Sequence, residues 1–278
     1  MKALFDNLSA TCSKRTTELY STSFSLGIHF LKPKFHAPIY GIYGFVRLAD
    51  EIVDSFHDYD KVSLMEKIRK DTVDAIRDGI SINPLLNSFQ EVVRTYNIEW
   101  ELIDTFLKSM EMDLMRTEHT SASYDLYILG SAEVVGLMCL RVFAEGNDQI
   151  FNELKPYAMK LGAAFQKVNF LRDLKADYQD LGRTYFPGVN FDHFSFREKE
   201  IIQNEIEADF EQALIGIKRL PSGARRGVYL AYYYYLKLFL RIKETPPEKV
   251  MNARIRIPDY NKVGLMFRSL LRHQLDLL

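Results

Sequence analysis

Cysteine is scarce in this 278-residue chain, with only Cys12 and Cys139 present. Two thiols without metal-ligand spacing build neither a disulfide framework nor a zinc site, so a reducing compartment is the simple expectation. No apolar h-region follows Met1-Lys2-Ala3, and no uninterrupted apolar run approaches the roughly 18 residues that span a bilayer. A soluble, cytoplasmic protein is expected, or one that touches a membrane from one side. Net charge is lacking too, since 36 Lys plus Arg face 37 Asp plus Glu. No field of one sign draws in nucleic acid, and any anion site must be local. Gly-x-Gly occurs nowhere, so there is no dinucleotide fingerprint. Glycine (14) and proline (9) are sparse. No linker, repeat or low-complexity tract divides the chain, and one domain over 1–278 is expected.

What is abundant is apolar bulk at helical spacing. Apolar residues make up 47% and charged residues 26%, the balance of a globular protein with a large core. Clean period-2 alternation is rare. The pattern predicts helices near 3–24, 36–56, 60–78, 84–94, 99–118, 123–144, 148–178, 197–219, 222–243 and 259–275. Pro33 and Pro38 separate the first two, Asn83-Pro84 starts a short one, and Thr245-Pro246-Pro247 ends a Tyr-rich one. The expected fold class is all-α, a single large helical bundle with a central cavity between facing helices.

Two aspartate pairs stand out. Asp50 and Asp54 are four apart in a helical segment, roughly 40° apart on one face, and Arg47 and Tyr43 continue that face. Such carboxylates repel each other unless a cation sits between them. With 19 Asp in the chain, one such pair is expected by chance. Asp74–Asp78 fits the same spacing, but it lies among Lys67, Arg69, Lys70 and Arg77 and reads as a solvated face. The segment Gln166 to Asp177 is sharper. Gln166, Asn169, Asp173 and Asp177 fall at the spacing of a buried apolar stripe, flanked by Val168, Phe170, Leu171 and Leu174. Burying polar groups there without partners would cost several kcal/mol. A solvated face or an internal hydrogen-bond network is the bland alternative. Magnesium accounts for the stripe, because it is held by one or two carboxylates plus substrate phosphates. Arg172 and Arg183 could then pair with phosphate oxygens.

In order along nearly the whole chain, these segments resemble the squalene and phytoene synthase family. The resemblance starts at Tyr20-Ser21-Thr22-Ser23-Phe24 and continues through Arg47-Leu48-Ala49-Asp50-Glu51-Ile52-Val53-Asp54. It then takes in Tyr127, nine residues before Gly136, followed by Gln166 through Asp177. Arg183-Thr184-Tyr185-Phe186-Pro187 comes next, and Arg256 stands six residues before Lys262. The resemblance implies an isoprenoid synthase fold and a head-to-head prenyl condensation. One isoprenoid diphosphate ionises with the help of magnesium, or of manganese in its place. The allylic cation is attacked by the second molecule to give a cyclopropyl diphosphate, which ionises again. By the same resemblance Asp50, Asp54, Asp173 and Asp177 hold the ions, with Asn169 as a further ligand and Gln166 in support. Arg47, Arg172, Arg183 and Arg256 contact diphosphate. Ser21, Ser23, Phe24, Tyr43, Tyr127 and Tyr235 line the reacting region. Glu51 stands where many relatives carry a second Asp. Glu133 and Val134 replace a small residue and a hydroxyl.

The sequence reading favours two geranylgeranyl diphosphates condensing to phytoene, without NADPH, in carotenoid biosynthesis. Two farnesyl diphosphates giving dehydrosqualene or a squalene-type product is the alternative. A non-catalytic scaffold on the same fold is a second alternative, from another class, but it would have no reason to retain four carboxylates. The last helix places Val263, Met266, Leu270 and Leu271 on one side, with Arg268 and Arg272 nearby. That pattern could lie on the inner face of a membrane, or pack in the core, which is the commoner use of such a stripe. A downstream carotenoid desaturase is an imaginable partner on which the residues are silent.

Overall fold

The computed structural model of the chain describes residues 1–115, 120–175, 178, 184–189, 191 and 194–256. Among them the α-helices follow in the order α1 (Lys2–Tyr20), α2 (Thr22–His29), α3 (His36–Asp54), α4 (Lys61–Asp78), α5 (Pro84–Tyr96) and α6 (Trp100–Met115). Then come α7 (Ser121–Ile128), α8 (Val134–Ala144), α9 (Asp148–Lys175), α10 (Phe196–Arg219), α11 (Ser222–Glu244) and α12 (Pro247–Asn252). No strand occurs among the described residues. The expected last helix, near 259–275, lies outside them.

The helices begin and end where local chemistry tells them to. Asn83 accepts a bond from Leu85 N at 3.0 Å, and Pro84 supplies the first residue of α5, where its missing N–H costs nothing. Ser195 and Glu198 close a capping box on α10. Gly79 ends α4 at φ 69°, a left-handed conformation that glycine adopts without strain.

The segment 123–144 is helical and Thr245 caps the end of the Tyr-rich helix, both as expected, while local chemistry alters some details. The helix expected over 3–24 breaks at Ser21, whose backbone is extended (φ −146°, ψ 96°) and whose Oγ accepts from Phe24 N at 3.2 Å. A serine hydroxyl that caps a new helix competes with continuing the old one. The segment 123–144 is helical, but it contains a π-helical turn, Leu129–Glu133, between α7 and α8. The proline pair after Thr245 ends α11 and also starts α12, with Pro247 in its first turn. Pro38, expected between helices, sits in the first turn of α3, where its ring is tolerated.

The core runs between α3, α5, α6, α8 and α9. Phe45 stacks on Phe89 with centroids 4.0 Å apart and also touches Phe106, and all three rings are fully buried. The segment Ser121–Ala144 is long and apolar enough to cross a membrane, but 61% of its most apolar window is buried inside the bundle. It packs against α6 and α9. Its glycines let neighbouring backbones close in: a Cβ on Gly130 would stand 2.7 Å from Thr105 O and 2.5 Å from Ser109 Cβ of α6.

Gly130→Val should therefore cost about 1–3 kcal/mol by overpacking. At this chain length that is a fall in Tm of several degrees, measured by thermal unfolding. An unchanged Tm would mean that α6 and the π-helical turn are free to separate.

Candidate active site

The helices enclose a cavity of about 500 Å³. Along α9 its lining runs from Leu154 to Arg172, which at 1.5 Å per residue is roughly 27 Å. The two ends differ in chemistry. Leu31, Leu140, Phe143, Leu154, Ile217 and Leu220 make one end apolar. Arg47, Asp50, Gln166, Asn169, Arg172 and Arg254 make the other polar. Ser21, Phe24, Tyr43 and Tyr235 also line the cavity. Nine residues singled out in the sequence thus meet in one place. They come from α3, α9, α11, α2 and its cap.

The polar end is built by helix periodicity. On α3, Tyr43, Arg47 and Asp50 succeed one another on the inward face. Arg47 donates from Nε to Glu51 at 3.0 Å, and its Nη2 also bonds Glu51. Its guanidinium stacks over the Tyr20 ring at 4.3 Å. Glu51 thus holds an arginine rather than facing the cavity. Burial raises the Asp50 carboxyl to about 7; the neighbouring Asp54 and Asp113 charges add to the rise, and Arg47 opposes it. Asp54 is the last residue of α3 and is exposed at its end.

Across the cavity, Asn169 accepts from the Tyr235 hydroxyl at 3.3 Å and donates to Gln166 at 3.5 Å. Tyr235 stacks on Phe165 with centroids 4.0 Å apart, which sets the register of the four tyrosines on α11. Asp173 sits at the rim. Arg172 Nη2 reaches it at 2.5 Å and Arg254 Nε at 2.7 Å. Burial raises the Tyr43 hydroxyl to about 12, so it stays protonated; it hydrogen-bonds Ser21, and the Tyr43 and Phe24 ring centroids are 5.2 Å apart.

Asp113 escaped the sequence reading. Its Oδ2 accepts from the buried Tyr127 hydroxyl at 2.6 Å, and both groups lie close enough to Asp50 to act on it or be acted on by it. No local motif marked it, since it stands alone in Met110-Glu111-Met112-Asp113, and only the packing of α6 against α7 brings it in. Arg254 is the other omission. Arg256, singled out in the sequence, is exposed and outside the cavity lining, whereas Arg254, two residues earlier, enters it. Both lie just beyond the end of α12, where no helical periodicity applies to choose between them. Tyr127 is buried behind the lining, and Ser23 is half-buried beside it. Asp177 and Arg183 lie outside the described residues. Tyr185 and Phe186, just after Arg183, fold back over α9: Tyr185 stacks on Phe170 at 4.0 Å and on Tyr127 at 5.4 Å. Asp74 and Asp78 pair with exposed Arg77, outside the cavity lining.

Among the described residues no three carboxylate, imidazole or thiol groups gather closely enough to cage a metal. The donors come in pairs and singly, an arrangement that suits magnesium when phosphate and water complete its shell. Burial lifts Asp50 first, and the negative charge of Asp54 and Asp113 that adds to it is the part a divalent cation would relieve.

Comparison with known proteins gives one consistent picture. The profile of the squalene/phytoene synthase family matches residues 17–261. A presqualene diphosphate synthase from Sinorhizobium fredii is 33% identical over 187 residues, 66% of this chain and 64% of that protein. A 15-cis-phytoene synthase from Synechocystis is 26% identical over an alignment covering 94% of this chain and 84% of its own. Among solved structures, a dehydrosqualene synthase superposes with a TM-score of 0.83 at 18% identity, covering 97% of this chain and 98% of its own. The squalene synthase HpnC from Alicyclobacillus acidocaldarius gives 0.75 at 19%, covering 84% and 93%. At such identities the superpositions establish the isoprenoid synthase fold.

The raised Asp50 carboxyl has a consequence for stability. A folded-state pKa of about 7 against an ordinary 3.8 contributes stability below the lower value and loses it as pH rises through the upper one. In chelator, Asp50→Asn should melt a few degrees above wild type at about pH 8 and close to it at about pH 4. Equal melting at both values would mean that Asp50 is as well solvated as a surface carboxylate.

Proposed function

We propose, for a chain that belongs to the squalene/phytoene synthase family, the head-to-head condensation of two geranylgeranyl diphosphates to phytoene. Prenyl diphosphate condensation is the reaction of that family, and the chain is a prenyltransferase-type enzyme. One observation carries the site reading: a lining along α9 that is largely apolar from Leu154 to Phe165, roughly 17 Å, leads to a polar end formed by Asn169 and Arg172 of α9 and Arg47 and Asp50 of α3. That is the shape and polarity of a prenyl chain ending in a diphosphate.

Asp50 and Asp54 on α3, with Asn169 and Asp173 on α9, would hold magnesium, joined by Asp177. When bound, magnesium neutralises charge on the departing diphosphate. Arg47 and Arg172 supply fixed positive charge for phosphate oxygens, and Arg254 stands at the same rim. Arg47 is held ready by Glu51 and the Tyr20 ring. The aromatic faces of Phe24, Tyr43 and the stacked Phe165–Tyr235 pair stand beside the reacting carbons, where they stabilise cationic charge. The apolar far end keeps water from that cation.

Twenty-carbon substrates are favoured because the phytoene synthases of Synechocystis and Arthrospira platensis align over 94% and 90% of the chain. A fifteen-carbon reading has its own support in the 33% identity to a presqualene diphosphate synthase. No nicotinamide takes part in the phytoene reading. Cytoplasmic placement with peripheral contact to the inner face of the membrane goes with hydrocarbon tails and product, as does hand-over to a desaturase.

Incubation with magnesium and either geranylgeranyl or farnesyl diphosphate, without NADPH, tests the reading by mass spectrometry of the extract. A forty-carbon hydrocarbon from the first substrate is expected. A thirty-carbon product from the second alone would transfer the assignment to farnesyl diphosphate. No product from either, with NADPH also tried, would overturn the reading. Asp173→Asn should abolish turnover, by at least about 100-fold for a lost electrostatic group, with Tm retained. Asp74→Asn should leave kcat and Tm unchanged. Full activity of the first variant would remove Asp173 from the metal site.

A further inference from the structure

Lys167 stands inside the polar segment of α9 but points away from the cavity. Its side chain is 6% exposed and that of Asp209 on α10 is 4% exposed. Lys167 Nζ lies 2.6 Å from Asp209 and 2.5 Å from Glu205, one turn earlier on α10. Asp209 in turn meets Lys160 Nζ at 2.9 Å, two turns earlier on α9. Each buried charge thus bridges two positions of the opposite helix. Glu133, the acidic residue that departs from the family pattern in the π-helical turn, feels the charges of Lys160 and Lys167 rather than entering the cavity.

The buried residues flanking this network are apolar, some small (Ala163 and Ala164 on α9, Ala213 and Gly216 on α10) and some bulky (Val168 on α9, Ile206 and Phe210 on α10). Smooth apolar contact is non-directional and lets one helix turn or slide on another. Charge-assisted hydrogen bonds fix both angle and register. On the cavity side α9 is held by the Phe165–Tyr235 stack and by the Asn169–Tyr235 hydrogen bond. On the α10 side the charged network supplies the directional anchor. Lys167 follows Gln166 by about 100° around the same rigid helix, so how Lys167 is held bears on where Gln166 and Asn169 point.

We propose that the Lys167–Asp209 pair is a positioning element for the condensation, setting the rotation of α9 that points Gln166, Asn169 and Asp173 at the diphosphate. Its worth is geometric, because apolar residues of similar volume replace buried ion pairs without loss of stability. The inference rests on the function proposed above.

The test is the double variant Lys167→Met with Asp209→Leu, set beside the single Asp209→Asn. The double variant should keep or exceed the wild-type Tm. Its kcat should fall about 10- to 100-fold, as misplaced catalytic groups do, with KM changed far less. The magnesium concentration for half-maximal rate should rise several-fold. Asp209→Asn, which leaves the buried Lys167 ammonium with the half-exposed Glu205 as its carboxylate partner, should lose Tm. Wild-type kcat and magnesium dependence in a stable double variant would overturn the proposal. So would loss of Tm with full activity per folded molecule. A wild-type chain inactive on every prenyl diphosphate would defeat the proposed function instead. Magnesium-dependent binding of inorganic pyrophosphate to the same variants, read by calorimetry, would still judge the positioning role.

Discussion

Gathering carboxylates at one end of an apolar cavity works against folding. Asp50 lies within electrostatic reach of Asp54 and Asp113 and has lost much of its water, so its charged form is disfavoured. The rest of the bundle is arranged around tolerating that arrangement. Arg47 is clamped by Glu51 and Tyr20 so that positive charge faces Asp50 from its own helix. Tyr127 donates a hydrogen bond to Asp113 from a buried position. Arg172 and Arg254 bracket Asp173 on the opposite wall. A site strained in this way is relieved by divalent cation and diphosphate together, so ligand binding and local stability are two views of the same electrostatics.

The second constraint is keeping the far end apolar and open. Small residues achieve this by letting backbones, rather than side chains, meet. A Cβ on Gly162 would stand 2.5 Å from Ala132 O, and one on Gly227 would stand 2.6 Å from Gly27 O. Helices that close bring their bulky residues to the cavity wall or to the core beyond it. The π-helical turn belongs to the same economy, placing Ser131, Ala132 and Val135 on the wall while Tyr127 reaches Asp113.

Much of this was legible in the sequence, for physical reasons that also mark its limits. Helix periodicity fixes which residues share a face, so Tyr43, Arg47 and Asp50 could be read as one surface, and Gln166 and Asn169 as another. Ordered motifs along the chain led to the family. Contacts that depend on how two helices pack carry no such local mark. Asp113 and Lys167 carry no mark in the sequence on that account, and Arg254 carries none because it follows the end of α12, where no periodicity applies. The break at Ser21 was hidden because the residues on either side of it favour helix equally, and a capping hydroxyl decides. Asp177 and Arg183 lie outside the described residues, so their part in the site still rests on sequence resemblance.

The most direct measurement of the central claim is the position of a divalent cation. Crystals grown with manganese and a non-ionising geranylgeranyl thiodiphosphate, read by anomalous scattering, would give it. The account predicts manganese between the diphosphate and the facing carboxylates, on Asp50 and Asp54 at one wall and on Asn169 and Asp173 at the other. Manganese found elsewhere, or a diphosphate held with neither wall engaged, would contradict it.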